Sequence, residues 1–187
     1  MALPQFVEKL VENNQLGNKT GGGFYKKERS PDGKTIRKVI NPETMEYEAY
    51  SKADFAALAE AKKKSSLPEK MRTVVYGDDK AAKYAWDVTA NGLIYAANRI
   101  PEIADTIVDI DNAMKWGYNF QMGPFEAWDA IGVKASVEKM EQEGRQVPEK
   151  IKQFLAAGNE TFYKIEDGKK YFYDFASGSY KPVPVSA

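Results

Sequence analysis

The sequence predicts a mainly helical fold that carries two small β-hairpins. Apolar side chains recur at the 3.6-residue period of amphipathic helices over most of the 187 residues. Two short stretches instead have the composition of paired strands around a Pro/Gly or Asp-Gly turn. The order of helix, Gly-Asn-x-Thr segment, Phe-Tyr-Lys and hairpin occurs twice, which indicates an internal repeat.

The first elements are a short helix and a hairpin. Apolar side chains with helical spacing predict a helix that ends near Asn14, namely Phe6, Val7, Leu10 and Val11. A glycine-rich link follows, and strands are expected over 24–28 and 35–40. The tetrapeptide Ser30-Pro31-Asp32-Gly33 forms the turn between them, because Pro fixes one dihedral angle and Gly tolerates positive φ. A third short strand is expected near 45–50.

Seven helices and a second hairpin are expected after residue 51. An Ala- and Lys-rich helix covers 52–64, and Pro68 opens a short one. A long helix runs from about Lys80 to Asn98 behind Asp78 or Asp79 as cap, and its wide apolar stripe predicts burial on more than one face. The next four helices are expected around 107–117, 125–131, 134–143 and 148–156. Residues 162–173 return to strand around Asp167-Gly168.

The repeat sets the predicted domain organisation. Glu8-Lys9-Leu10 matches Glu149-Lys150-Ile151, and Gly17-Asn18-Lys19-Thr20 matches Gly158-Asn159-Glu160-Thr161, both at an offset of 141 positions. We therefore interpret residues 1–50 as the end of a truncated first copy and residues 51–187 as a second copy, with the body of the first copy upstream. Convergent turn chemistry is the alternative explanation.

The composition excludes several classes of function. The chain has no Cys and no His, so it cannot build a disulfide, a thiolate metal site, a His-ligated metal site or a Ser-His-Asp triad. Its 27 basic and 27 acidic residues cancel, which argues against nucleic-acid binding. No apolar run is long enough to span a membrane. The absence of Cys suits a reducing compartment, and we expect a cytoplasmic protein.

Two groups of motifs carry a resemblance to a known family. One is the segment Leu16–Tyr25, with its structural positions Gly17, Lys19, Gly21, Gly23, Phe24 and Tyr25. The other is Ile-Asp-x-Ala-Met-x-x-Gly followed by Gly-Pro-Phe-x-x-x-Asp-x-x-Gly, with structural positions Asp111, Gly117, Gly123, Pro124, Phe125, Asp129 and Gly132. In order and spacing, both resemble the C-terminal domain of 3-hydroxyacyl-CoA dehydrogenases, which is duplicated in the long bacterial and archaeal members.

The resemblance implies a fold and an activity for the parent enzyme. The fold is a helical domain like the C-terminal domain of 6-phosphogluconate dehydrogenase. The activity is the NAD-dependent oxidation of 3-hydroxyacyl-CoA to 3-ketoacyl-CoA in fatty-acid β-oxidation, with NAD and a His base on a Rossmann domain. This chain has no His and no Gly-x-Gly-x-x-Gly between a strand and a helix. We therefore expect no catalytic residue, no metal and no bound NAD in this chain.

Individual residues keep two interpretations each. Asn91 occupies the place of the family's substrate-proximal Asn, and a buried Asn bonded to its neighbours is the alternative. Asp111 and Asp129 are either paired acid/base carboxylates or, in the alternative, helix caps and surface ion pairs. Lys19 could meet a CoA phosphate, but Glu160 stands at its place in the other copy. Trp116 and Trp128 are candidates for a domain or subunit contact, or else core residues.

The predicted function is therefore that of a C-terminal part of the dehydrogenase that has no catalytic activity of its own. It would shape the acyl cleft and hold domains or subunits together. The expected partners are the Rossmann domain and first copy upstream, a second subunit in a homodimer, and an enoyl-CoA hydratase domain. Two alternatives stay open: a stand-alone helical interaction module without catalysis, and a small enzyme that uses Tyr or carboxylate chemistry.

Overall fold

The computed structural model describes residues 3–184, which divide into two compact units with the boundary between Ala53 and Asp54. Unit 1 contains one helix, a three-residue 3-10 turn at Asn18–Thr20 and one antiparallel sheet of order β1-β2-β3. Its elements are α1 (Gln5–Glu12), β1 (Tyr25–Arg29), β2 (Thr35–Ile40) and β3 (Tyr47–Ala49). Leu10 and Ile40 are its buried apolar side chains within the described residues.

Unit 2 contains seven helices and a second antiparallel sheet, of order β4-β5-β6, within the described residues. The mainly helical fold class is confirmed. The helices are α2 (Ala56–Lys62), α3 (Leu67–Val75), α4 (Lys80–Asn98), α5 (Ile107–Tyr118), α6 (Pro124–Ile131), α7 (Val133–Gln142) and α8 (Glu149–Ala156). The strands are β4 (Tyr163–Glu166), β5 (Lys169–Asp174) and β6 (Ser179–Pro182).

Side-chain caps fix where several helices begin. Ser66 and Thr106 form capping boxes at α3 and α5. In each box the hydroxyl accepts from the backbone N–H of the third helical residue, and the acidic side chain of that residue accepts from the backbone N–H of the cap. Asp79 caps α4 by accepting from Ala82 N at 2.8 Å, and its other oxygen accepts from Ala57 N at 2.8 Å. The same side chain thus joins α2 to α4.

The core of unit 2 is aromatic where α6 and α8 meet the sheet. Phe125, Trp128, Phe154 and Phe162 are fully buried. The Phe162 ring lies 4.6 Å from Phe154, 5.1 Å from Phe125 and 5.5 Å from Trp128, all distances for favourable ring pairs.

One expectation about unit 2 is incomplete and one is wrong. The C-terminal hairpin has a third strand, β6, which its polar and Pro-containing sequence did not indicate. Helix α4 is buried on one face only, because Tyr84, Val88 and Tyr95 of the predicted stripe are exposed. The stripe that faces the core instead consists of Ala82, Trp86, Ala90, Leu93, Ala96 and Ala97.

The internal repeat has a structural counterpart, but its register differs from the predicted one. Pro4 and Pro148 precede α1 and α8, which are both eight residues long. Asn14 and Gly158 then adopt positive φ beyond the two helix ends. These pairs are 144 positions apart, so the match at offset 141 misplaces the helix by three residues.

The two sheets repeat the same contacts at smaller offsets. Tyr47 Oη donates to Gly23 O in unit 1, and Tyr180 Oη donates to Thr161 O in unit 2. Equivalent residues of the two units are therefore 138 positions apart at β1 and 133 positions apart at β3. Because the offset at the helices is 144, unit 1 has six more residues than unit 2 between its helix and β1. Lys19 lies in this longer segment, residues 16–22, which stands opposite the single residue Glu160, so its comparison with Glu160 stays a prediction. That unit 1 ends a first copy stays a prediction, which these matching contacts support.

Candidate functional site

A buried carboxylate on α5 organises the start of α6. Asp111 is fully buried, and it accepts from Phe125 N at 2.8 Å and from Glu126 N at 3.1 Å. Pro124 stands at the first helical position and has no N–H to satisfy. Asp111 thereby caps a neighbouring helix rather than its own, and it also accepts from Tyr163 Oη at 2.8 Å.

A second carboxylate, at the other end of α6, holds the first strand of the sheet. Asp129 accepts from Phe162 N at 2.7 Å and from Tyr163 N at 2.9 Å. Tyr163 therefore touches both carboxylates, one through its hydroxyl and one through its backbone. This arrangement joins α5, α6 and β4 through hydrogen bonds to charged groups, which are stronger than bonds between neutral groups.

Burial raises the pKa values of the two carboxyl groups toward neutral pH. It raises the pKa of Asp111 to about 6, against the opposing effect of its backbone and Tyr163 donors. It raises the pKa of Asp129 to about 7, and the negative charge of Asp111 adds to that effect. Burial and the nearby carboxylates also raise the pKa of Tyr163. All four carboxylate oxygens of the pair already accept a hydrogen bond, and three of them accept only from the backbone.

The glycine of the Gly-Pro-Phe motif permits the close approach of α5 and α6. A Cβ placed on Gly123 would lie 2.3 Å from both Cα and Cβ of Asp111. Its φ of −74° is open to any residue, so space rather than backbone conformation requires glycine here. Gly132, which separates α6 from α7, has instead a φ of +92°, where glycine avoids the strain of a side chain.

An acidic residue on α6 lies between two lysines. Glu126 Oε1 accepts from Lys115 Nζ at 3.1 Å and from Lys170 Nζ at 2.8 Å. Burial opposes its ionisation, but the hydrogen bonds from Lys170, from Gly123 N–H and from Lys115 lower the pKa of Glu126 overall. The ion pair with Lys170 is a further link between α6 and β5.

An apolar groove of about 1020 Å³ runs along unit 2 beside α3, α4 and α5. Its walls include Met71, Val88, Leu93, Ile110, Met114 and Phe120. Gly92 also lines the groove, and a Cβ there would meet no atom within 4 Å. Apolar pockets of this size are typical binding sites for apolar ligands or side chains.

Two of the candidate site residues lie away from the positions proposed for them. Asn91 is exposed and accepts from Arg145 Nη1 at 2.8 Å, so it is neither buried nor part of the groove. Trp128 is fully buried and donates through Nε1 to Ser136 Oγ at 2.7 Å, so it cannot contact a partner. Trp116 is 76% exposed and keeps that possibility. Gly117 lies on the same helix, with open space around it.

The glycine-rich segment of unit 1 does not fit a dinucleotide. Gly17 and Gly22 exchange both backbone hydrogen bonds, and Gly21 N donates to Asn18 O. Gly23 N donates to Tyr25 O, and a strand follows instead of a helix. These amides are already used within the loop, so they offer no cradle for a pyrophosphate. Exposed side chains surround the loop, among them Lys19, Phe24 and Tyr25.

The described residues 3–184 contain no group of three or more carboxylate or other ligating side chains that could hold a metal ion. Over the same range, no helix combines the length and apolarity needed to cross a bilayer.

Sequence reasoning missed Tyr163 and Lys170 as partners of the motif residues. Tyr163 is 52 positions from Asp111, and Lys170 is 44 positions from Glu126, so local spacing could not connect them. The repeated Phe-Tyr-Lys was the available signal, because it places a tyrosine at the start of each sheet. No sequence signal indicated that Gly92, next to Asn91, lines the groove.

These features define a mainly helical domain in which α6 joins α5 to a small sheet beside an apolar groove, and comparison with known proteins identifies its class. Residues 92–173 match the family described as 3-hydroxyacyl-CoA dehydrogenase, C-terminal domain. A probable 3-hydroxyacyl-CoA dehydrogenase of Bacillus subtilis is 44% identical over 181 residues, covering 97% of this chain and 22% of the relative. A putative fatty acid oxidation complex trifunctional enzyme of Rickettsia felis is 29% identical over 163 residues, covering 87% of this chain and 21% of the relative.

The chain belongs to the 3-hydroxyacyl-CoA dehydrogenase family and corresponds to its C-terminal region. A second trifunctional-enzyme relative, from Rickettsia prowazekii, is 34% identical over 120 residues, covering 64% of this chain and 15% of the relative. The chain spans about a fifth of the length of the curated relatives it matches.

Proposed function

We propose that this chain is a non-catalytic C-terminal part of an NAD-dependent 3-hydroxyacyl-CoA dehydrogenase of fatty-acid β-oxidation. In the proposed reaction, a 3-hydroxyacyl-CoA loses its C3 hydride to NAD⁺ and its hydroxyl proton to a base, giving 3-ketoacyl-CoA and NADH. The role of this chain would be to shape the acyl cleft and to hold domains or subunits together. The observation that carries the proposal is the apolar groove of unit 2, most of whose lining residues lie within the region 92–173 that matches the family.

The chemistry of the described residues supports a non-catalytic role. The reaction needs a base near neutral pH and a site for NAD⁺, and the sequence contains no His. Asp111 and Asp129 have pKa values in the right range, but their oxygens are engaged by Phe125, Glu126, Phe162 and Tyr163. We therefore assign NAD⁺ binding and the base to an upstream Rossmann domain of the parent enzyme.

The groove suits apolar contact rather than polar recognition. Most of its lining residues are apolar, with Thr89, Arg99, Asp109, Asn119 and Gln121 as the polar ones. Covering the apolar surface would release about 25 cal/mol for each Å² removed from water. Helix α5 extends the apolar surface with Tyr118, whose ring lies 6.2 Å from Phe120 at the groove. An acyl chain or an apolar side of a neighbouring domain has the chemistry to occupy it.

A filling mutation in the groove tests the proposal. Gly92→Leu would place a side chain in the groove, and Gly117→Leu is the matched control, because a Cβ at either position meets no atom within 4 Å. The chain would be mixed with the part of the Bacillus subtilis relative that precedes the matched region. Oxidation of a 3-hydroxyacyl-CoA would then be followed by NADH absorbance.

We expect the wild-type chain and Gly117→Leu to raise the rate of NADH formation above that of the upstream part alone. Gly92→Leu should raise this rate much less. Turnover by the isolated chain would contradict the non-catalytic role. Equal rates for the two leucine variants would remove the groove from the proposal. Binding without any gain in rate would favour the alternative of a helical interaction module.

The remaining partners and the compartment belong to the same proposal. The name trifunctional enzyme of two relatives supports further domains in the parent polypeptide, of which an enoyl-CoA hydratase is the one we propose. Exposed Trp116 supports a contact with a second subunit or domain. The absence of Cys supports a reducing compartment such as the cytoplasm.

A further inference from the structure

One side of unit 1 exposes residues whose counterparts in unit 2 are covered. Phe24 and Phe162 hold equivalent positions, since Ile40 N donates to Phe24 O as Tyr173 N donates to Phe162 O. The exposed fraction is 52% for Phe24 and 0% for Phe162. We define the open face of unit 1 as Tyr25, Arg37 and Tyr50, which are exposed and lie together on one side of the sheet, with Phe24 immediately before it in the chain.

The hydrogen bonds of the two sheets fix the other equivalences on this face. Tyr50 N donates to Arg37 O in unit 1, and Val183 N donates to Lys170 O in unit 2. Arg37 therefore corresponds to Lys170, whose Nζ lies 2.8 Å from Glu126. In the same register Tyr25 corresponds to Tyr163.

The open face also leaves a backbone donor without the partner that its counterpart has. Phe162 N donates to Asp129 at 2.7 Å. Phe24 N, at the same place in unit 1, has no hydrogen-bond partner among the residues that the structure describes. The hydroxyl of Tyr25, a residue that is 52% exposed, likewise bonds to no described side chain, whereas that of Tyr163 donates to Asp111.

We propose that the open face of unit 1 binds a helical body built like α5–α6 of unit 2 and carried by an upstream part of the parent polypeptide. In that body, one aspartate accepts from Phe24 N and Tyr25 N, as Asp129 does in unit 2. A second aspartate accepts from Tyr25 Oη, as Asp111 does. An acidic residue pairs with Arg37. This inference rests on the proposed function, because it takes the chain as part of a longer dehydrogenase.

Charge supports this occupant. Lys27, Arg29 and Arg37 lie on the same side of the sheet as Tyr25, and within residues 3–184 none of them forms an ion pair. The Arg37 guanidinium lies 5.9 Å from the ring centres of Tyr25 and of Tyr50, so it is held on the open face. An acidic helix junction complements this cationic and aromatic surface.

A second copy of this chain is a poor occupant. The α5–α6 junction is the described surface with the required carboxylates, and in each copy it already binds its own sheet through Tyr163 and Lys170. The partner must therefore bring another junction of this kind.

The test measures copurification of the tagged chain with the part of the Bacillus subtilis relative that precedes the matched region, after co-expression. Three chains are compared with wild type: the double variant Tyr25→Phe with Arg37→Glu, the charge control Lys62→Glu on α2 of unit 2, and Gly92→Leu. We expect the double variant to lose about tenfold or more in retained partner. Lys62→Glu should behave as wild type.

Circular dichroism of each purified chain checks that the variants are folded. Equal retention by the double variant and Lys62→Glu, or no retention by the wild-type chain, would overturn the inference. The Gly92→Leu arm separates this inference from the proposed function. Loss with the double variant alone supports the open face and excludes the groove as the contact with this partner, while the groove's role as an acyl cleft is decided by the NADH assay. Loss with Gly92→Leu alone overturns the open-face inference and supports the groove as the domain contact.

Discussion

The Gly-Pro-Phe motif gives the sharpest prediction, because the structure shows what its glycine does. In Gly123→Ala, the new Cβ would lie 2.3 Å from Cα and Cβ of Asp111. Alanine accepts a φ of −74° and a ψ of 171°, so no backbone strain is involved. To reach ordinary contact, α5 and α6 must move apart by about an ångström, which is a typical overpacking defect.

The expected loss of stability has two sources. Overpacking of a well-packed site costs about 1–3 kcal/mol. Separating the helices also lengthens the bond from Phe125 N to the Asp111 carboxylate, now 2.8 Å, and a lost helix cap costs about 0.5–2 kcal/mol. Together they predict that the free energy of unfolding of unit 2 falls by about 1.5–5 kcal/mol.

Urea unfolding followed by tryptophan fluorescence measures this loss, because all three tryptophans, at positions 86, 116 and 128, lie in unit 2. The midpoint should fall by about 0.8–2.5 M for an m-value of about 2 kcal/mol/M. Gly92→Ala is the control: its Cβ meets no atom within 4 Å, so it should keep or raise the midpoint. A Gly123→Ala midpoint within error of wild type would refute the close-approach explanation.

Three further predictions concern the buried cluster and the cofactor. Tyr163→Phe should lower the free energy of unfolding by about 1–3 kcal/mol, because Asp111 loses a donor, whereas Tyr25→Phe should change it by at most about 0.5 kcal/mol in this chain. Equal urea midpoints for the two variants would show that the bond from Tyr163 to Asp111 does not stabilise unit 2. The raised pKa values of Asp111 and Asp129 mean that the folded state binds more protons than the unfolded state, so unfolding free energy should fall as pH rises from about 5 to 8. Urea titrations at each pH should show a smaller slope for Asp129→Asn, and an unchanged slope would disprove this assignment. Calorimetric titration with NADH should show no saturable heat at millimolar concentration, and micromolar binding would sink the non-catalytic role.

Local sequence signals predicted most of the fold and little of the site. Helix positions followed from apolar period and from caps such as Asp79, since both act within one or two turns. The bond between Tyr163 and Asp111 spans 52 positions, and no local pattern reports a contact of that length. The offset of 141 was wrong because the six extra residues before β1 shift the two copies out of a single register.

The groove escaped sequence reasoning for a different physical reason. Apolar residues on several sides of α4 predict burial on several sides, but sequence cannot distinguish a face covered by this chain from one left open. Val88 and Tyr95 lie on that second face, and both line the groove. This apolar face is not covered by other residues of the range 3–184, as is typical of a domain that contacts another surface.

The Gly-Pro-Phe-x-x-x-Asp motif is best understood as the joint of the domain. Its glycine leaves room for the close contact with α5, and its proline begins α6 without an N–H that would need a partner. Its phenylalanine is buried in the aromatic core. Its aspartate, four residues beyond Phe125, lies one helical turn further along α6 and binds the backbone where β4 begins. One turn of helix thus fixes a helix on one side and a sheet on the other. The motif is specific because both neighbours constrain it, and a catalytic role is not needed to explain any of its residues.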